Sequence, residues 1–282
     1  MRPKVVGTYS TCPDPRFRAS HSLLDTERLA LARTIHGDVV PACVAKETFG
    51  PSAALTVYVM EKVPGITYTE ASLASLRCPA WQERTMADLA RRFFASSWKN
   101  RLAGASYRAE YSFVDIQGSL DTLAQRLPPR FHRAIADIRG ELPIIFALSY
   151  PLVLGHGDLC KMNILVDPEA GGITGIIDWA EAMVLPFGMS LWGVLSILGR
   201  MDSRGWHYHA DASQLERLFW ETFHDNAGQV DAGDKRAITV AERAGLLLRY
   251  GFTWENGLHE RPVIESESSF GYLDAFLPRL QG

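Results

Sequence analysis

The sequence predicts an α+β fold in two lobes, a small N-terminal one and a larger, mainly helical C-terminal one. Three observations carry that prediction. The β-branched apolar run "LTVYVMEKVPG" breaks at Pro64-Gly65, as a buried strand ending in a connector does. Beyond it, apolar residues recur at helical spacing in stretch after stretch. Among those helices lie short apolar runs that bracket three polar residues, Asp158, Asn163 and Asp178.

Taken in order, residues 23–35, "LLDTERLALARTI", read as the first helix. Leu24, Leu31 and Ile35 sit among helix formers, and Asp25 and Glu27 lie near its start, where carboxylates favour the dipole. The strand in "LTVYVM" leads to a hinge at Glu61–Gly65, which divides residues 1–65 from residues 66–282. In "PAWQERTMADLARRFFASSW" the residues Met86, Leu89, Ala90, Phe93, Phe94 and Trp98 share one helical face, so this is a core helix. Further helical patterns cover residues 118–126, 129–139, 187–199, 212–224 and 234–249, the last opening at Asp234. Between them, "LVL" before His156, "ILV" after Asn163 and "ITGII" before Asp178 read as strands of a small hairpin, with "DPEAGG" as its turn.

Composition narrows the function. With 282 residues, 47% hydrophobic and 22% charged, the chain is long enough for a core in each lobe. A net charge of −3, with basic residues scattered, speaks against nucleic acid as a partner. The longest apolar runs are too short to span a membrane, and the N-terminus has no signal core. Cys12, Cys43, Cys78 and Cys160 are far apart and show no metal or disulfide spacing, which fits a reducing, cytoplasmic setting.

In "LGHGDLCKMNILVDPEAGGITGIIDW", Asp158 follows a strand and a glycine, Asn163 starts the next strand, and Asp178 ends the hairpin. A hairpin returning on itself places all three on one edge. Such oxygens suit Mg²⁺, which takes one or two protein oxygens and leaves the rest to water and phosphate. A spare carboxylate is then available as a base, so the set fits phosphoryl transfer, where positioning and charge neutralisation do most of the chemistry.

These residues resemble the aminoglycoside phosphotransferase and choline kinase-like family, and "IIDWAEAMVLPFG" is similar to the wording of fungal members. The resemblance implies a protein-kinase-like bilobal fold with a truncated N-lobe. It implies transfer of the γ-phosphate of ATP, with Mg²⁺, to a hydroxyl of a small-molecule substrate. Asp158 falls on the family's base, and Asn163 and Asp178 fall on its metal ligands. "YVMEKVPG" resembles the strand leading to the nucleotide hinge, which assigns Glu61 and Val63 to ATP. "TERLALARTI" resembles the N-lobe helix, with Glu27 where a carboxylate would pair with a lysine.

The pattern also departs from the family. Before Glu27 the only lysine is Lys4, Gly7 stands without a glycine-rich loop, and Arg16 or Arg18 would have to replace the lysine. Ser190 stands near where many members carry an aspartate that braces the catalytic loop. Two readings therefore stay open, a small-molecule kinase and a kinase-fold protein that has lost phosphotransfer and binds a metabolite, acts as a scaffold or uses the cleft otherwise. For the remaining groups the plainer expectation holds: His156 braces the loop, Lys161 reaches solvent, His207 and His209 bind no metal, and Asp225, Asp231 and Asp234 lie in a solvated loop.

Overall fold

The structure is a computed structural model that describes residues 8–10, 24–49, 55–74, 78–102, 107–255 and 259–280. Lys4, Gly7, Arg16 and Arg18 lie outside these residues. The N-terminal part carries an antiparallel sheet of β1 (Thr8–Ser10), β2 (Cys43–Phe49) and β3 (Leu55–Met60), with β3 in the middle. Helix α1 (Thr26–His36) starts at Thr26 and not at residue 23, because the Asp25 carboxylate accepts the amides of Glu27 and Arg28 at 3.0 and 3.1 Å. After β3 the chain runs without regular structure through Glu61–Pro64 and turns at Gly65. It then enters β4 (Ile66–Thr67) and α2 (Tyr68–Leu73), where Thr67 and Glu70 cap the helix reciprocally.

The expected core helix is one continuous rod in three parts: α3 (Pro79–Asp88), a π-helical turn (Leu89–Phe94) and α4 (Ala95–Lys99). Met86, Leu89, Ala90, Phe93, Phe94 and Trp98 are all buried. The wider turn brings Phe93 and Phe94 inward together. Phe93 stacks on His36 at 4.6 Å, while Phe94 meets Phe187 and Phe219 edge-on. Arg92, from the same turn, donates to the Ile173 carbonyl at 2.7 Å and pairs with Asp38 at 2.6 Å, so this rod ties the end of α1 to the rest of the chain.

Helix α5 (Phe113–Arg126) begins ahead of the expected residue 118, because Ser112 and Asp115 form a capping box. Helix α6 (His132–Glu141) follows a short 3₁₀ turn at Pro129–Phe131. The hairpin expectation needs one correction. Strand β5 (Leu152–Gly155) is not part of it; it pairs instead with β8 (Met183–Pro186), while β6 (Ile164–Val166) and β7 (Ile173–Ile176) form the hairpin and β4 extends it.

The helix expected over 187–199 is shorter, α7 (Trp192–Ile197), since the chain first turns through Gly188 at φ 98° and then enters strand β9 (Gly199–Asp202). Strand β10 (Gly205–Tyr208) completes that hairpin, and His207 bonds Asp202 across it at 2.9 Å. Helices α8 (Ala212–Ala227) and α9 (Ala232–Tyr250) follow. Asp231 and Asp234 form the capping box of α9, which accounts for both carboxylates. A last hairpin, β11 (Phe252–Glu255) and β12 (His259–Pro262), and α10 (Ser268–Arg279) end the described chain. Among the described residues, no helix is long and apolar enough to cross a membrane.

Candidate active site

Strand β5 delivers His156 into the interior, where it is fully buried. Its Nε2 lies 2.8 Å from the Ile177 carbonyl, and the Asp158 amide donates to its Nδ1 at 3.3 Å. That pairing defines a neutral imidazole with its proton on Nε2. Burial pushes the pKa down, against the raising effect of the Ile177 carbonyl and of Asp158 and Asp178. The ring leans on Trp179 at 4.7 Å. His156 is therefore a brace, with both ring nitrogens engaged by the backbone.

Gly157 makes the turn that follows. It sits at φ 79°, and a Cβ there would lie 2.1 Å from the Glu181 carbonyl, so the loop closes only with glycine. Asp158 follows, next to a groove that Gly157 and Arg249 line. Its Oδ2 receives Asn163 Nδ2 at 3.1 Å, and the same nitrogen bonds the Asp158 carbonyl at 2.8 Å. Its Oδ1 receives Arg249 Nη2 at 2.6 Å. The Cys160 thiol is 3.9 Å from Oδ2; burial and the neighbouring carboxylate push its pKa up, away from thiolate chemistry.

Asp178 joins this set through Ile177. The Ile177 amide donates to the Asn163 carbonyl at 2.9 Å while its carbonyl takes the His156 proton, so one residue stitches both loops. Asp178 is next in the chain, exposed, and at φ 63° and ψ 64° it is the sole non-glycine residue with positive φ among those described. A carboxylate held in this region costs energy that the surrounding structure must offset, a pattern that concentrates at functional sites. Asp178 accepts no hydrogen bond among the described residues, and Asn163 has turned its nitrogen to Asp158, which leaves its Oδ1 as the free acceptor.

The other expected site residues lie apart from these three. Glu27 is exposed at the start of α1 and has no cationic partner among the described residues. Its neighbour Arg28 faces the groove instead, donating to the Ala182 carbonyl at 2.7 Å and pairing with Glu110 at 2.8 Å. The Glu61 carboxylate turns back toward α1, accepting the Ala42 amide at 3.2 Å and Arg33 at 2.7 Å, and these two contacts lower its pKa. Val63 packs where a Cβ on Gly175 would stand, 2.5 Å from its Cγ1, and so borders the β6–β7 hairpin. Ser190 is buried, its hydroxyl 2.9 Å from where a Cβ on Gly155 would be.

Lys161 is half-buried, and its ammonium is engaged by the protein rather than left wholly to solvent. Its ammonium donates to the Gly199 carbonyl and lies over the rings of Trp206 and Tyr68 at 5.4 and 6.0 Å. Two electron-rich faces and a carbonyl out-compete water there. The lysine thus fastens the loop between β5 and β6 to the β9–β10 hairpin. Lys161→Ala is expected to lower stability by about 1–2 kcal/mol; a thermal melt indistinguishable from the parent would refute that fastening.

The groove beside Asp158 encloses about 680 Å³ and is lined by Arg28, Glu110, Tyr111, Glu181, Trp192 and Arg249 among others. Glu260, Glu181 and Glu110 all add to the effect of burial in raising the Tyr111 pKa, so three carboxylates gather round that phenol. Sequence reading missed Arg28, Tyr111 and Arg249. No local spacing points to them, because each reaches the groove from an element remote from the motif.

Among solved structures, the fold is similar to that of a choline/ethanolamine kinase family protein from Mesorhizobium loti, with 12% identity over 92% of this chain and 80% of that one and a TM-score of 0.51. A structure of aminoglycoside phosphotransferase APH(4)-Ia, in ternary complex with AMP-PNP and hygromycin B, matches with 16% identity over 91% and 80% and a TM-score of 0.49. Another, of APH(3'')-Id from Streptomyces rimosus with ADP and streptomycin, matches with 15% identity over 78% and 80% and a TM-score of 0.46. No curated protein sequence matches the chain. Residues 13–224 match the sequence model of the family described as "Phosphotransferase enzyme family".

Proposed function

The chain belongs to the phosphotransferase enzyme family, and on that premise we propose that it moves the γ-phosphoryl group of ATP to a hydroxyl of a small molecule. In this reading Asp158 accepts the proton of the attacking hydroxyl. The observation that carries it is the stitching of both loops through Ile177, which ties the loop of Asp158 and Asn163 to the strained, exposed Asp178.

The residues present fit a hard cation. Asn163 Oδ1 and Asp178, both without a donor among the described residues, are the oxygens that would hold Mg²⁺, which needs few protein ligands when phosphate supplies the rest. When bound, the ion neutralises charge on the phosphate oxygens. The chain's own residues then do the positioning: His156 fixes Ile177 and so Asp178, and Asn163 holds the Asp158 carboxylate. The hinge backbone at Glu61–Val63 would border the nucleotide, with residues 1–65 as the covering lobe and residues 66–282 as the catalytic one. The three carboxylates round Tyr111 favour an acceptor that carries a positive charge, as an amine-bearing sugar or an amino alcohol does. A cytoplasmic setting, where ATP is plentiful, accords with the free thiols of Cys43, Cys78 and Cys160.

The test is calorimetric titration with Mg²⁺ and ATP, followed by ATP consumption across a panel of aminoglycosides, amino alcohols and neutral polyols. Binding with acceptor-dependent turnover is expected. Absence of binding at millimolar nucleotide would end this reading. A second reading is a kinase-fold protein that no longer transfers phosphate, which the sequence suggests because the only lysine before Glu27 is Lys4 and no glycine-rich loop accompanies it. Ligand binding with no turnover of ATP for any acceptor would select it.

A further inference from the structure

We propose that Arg249 is a positioning residue, which holds the Asp158 carboxylate in the orientation from which it takes the acceptor proton. The inference rests on the phosphotransferase reading and extends it to a residue outside the motif. Arg249 stands in the last turn of α9, 91 positions from Asp158, and its Nη2 is 2.6 Å from Asp158 Oδ1. Its guanidinium lies over the Trp192 ring at 4.9 Å, so it is held by an aromatic floor as well as by the ion pair.

The helix is placed to make this reach. At Gly245 the α9 backbone approaches so closely that a Cβ would lie 2.0 Å from the Met189 carbonyl. That contact fixes the C-terminal part of α9 against Met189, just before α7, whose first residue is Trp192. The Asp158 carboxylate is then gripped at both ends, Oδ2 by Asn163 from its own loop and Oδ1 by Arg249 from the distant helix. Rotating the carboxylate would break both bonds. Arg249 and Asp158 are 38% and 27% exposed along their side chains, and Arg249 lines the groove together with Gly157, the residue before Asp158. An exposed pair adds little to stability; its effect lies in geometry, where a misplaced base costs rate.

The experiment compares the parent with Arg249→Met, Arg249→Lys, Asp158→Asn and the Arg249→Met/Asp158→Asn double variant. ATP consumption is followed with whichever acceptor of the panel the parent uses best, and thermal melts are read alongside. Arg249→Met is expected to lower kcat by about 10–100-fold with the KM for ATP changed less than about twofold and the melting temperature nearly unchanged. Arg249→Lys recovers part of the loss, because it restores charge without the stacked fork. In the Asp158→Asn background, Arg249→Met adds nothing, since a residue that acts through Asp158 has nothing left to position. Arg249→Met with the parent's kcat, or losses that multiply in the double variant, would overturn the positioning role and leave the phosphotransferase reading standing. A parent inactive with every acceptor would remove both.

Discussion

Asparagine in place of Asp158 is expected to slow phosphoryl transfer by about 10²–10⁴-fold while Mg²⁺–ATP affinity stays within about twofold of the parent. The substitution keeps size and shape, but the local network decides how the amide sits. Arg249 donates to one oxygen of Asp158 and Asn163 Nδ2 to the other. The new amide keeps its oxygen toward the guanidinium, because its NH₂ group there would face a cation. Its nitrogen then meets the donor of Asn163 and presents hydrogens where the attacking hydroxyl needs a lone pair. The variant folds and holds nucleotide, yet it has no acceptor for the hydroxyl proton. Single-turnover kinetics separates the chemical step from binding, and calorimetry reports the affinity. An Asp158→Asn protein as fast as the parent would take Asp158 out of the base role.

That the motif could be read at all follows from its local encoding. Glycine, carboxylate, amide and apolar strand lie within "HGDLCKMNILVD", and the turn "DPEAGG" returns the chain to Asp178. The rod at 79–99 was legible for the same reason, its buried face repeating at helical spacing. Strand β2 was not, since Val44 to Thr48 are all exposed and show no apolar alternation. The pairing of β5 with β8 joins Leu152 to Pro186, a contact that leaves no trace in either segment alone. Lys161 illustrates the limit best. Whether a loop lysine points out or in depends on rings at positions 68 and 206, and nothing beside it in the chain announces them. Arg249 is the counterpart at the groove, where Asp158 and Trp192 are brought to it by packing alone.

The stability of the chain is expected to fall as pH rises from about 6.5 to about 8, and Glu242 is the cause. This carboxyl lies buried on α9, and burial pushes its pKa from the ordinary 4.5 up to about 8. Glu216 of α8, itself paired with Arg279 of α10 at 2.5 Å, adds to the rise, and Arg243 opposes it. Between the two values the folded chain holds a proton that the unfolded chain has released. Raising the pH therefore favours unfolding, by about 1.4 kcal/mol for each pH unit. His36 has the opposite sign. Burial lowers its pKa from 6.5 to about 3, so its contribution is complete above 6.5 and is lost as pH falls toward 3. From 4.5 to 6.5 the two slopes oppose each other, and above 6.5 Glu242 acts without that offset. Glu242→Gln removes one slope and keeps the other. The variant should match the parent near pH 4.5 and exceed it by about 2–5 kcal/mol at pH 8, measured by denaturant unfolding across the range. A constant difference between the two proteins at every pH would mean that Glu242 does not hold its proton in the folded chain.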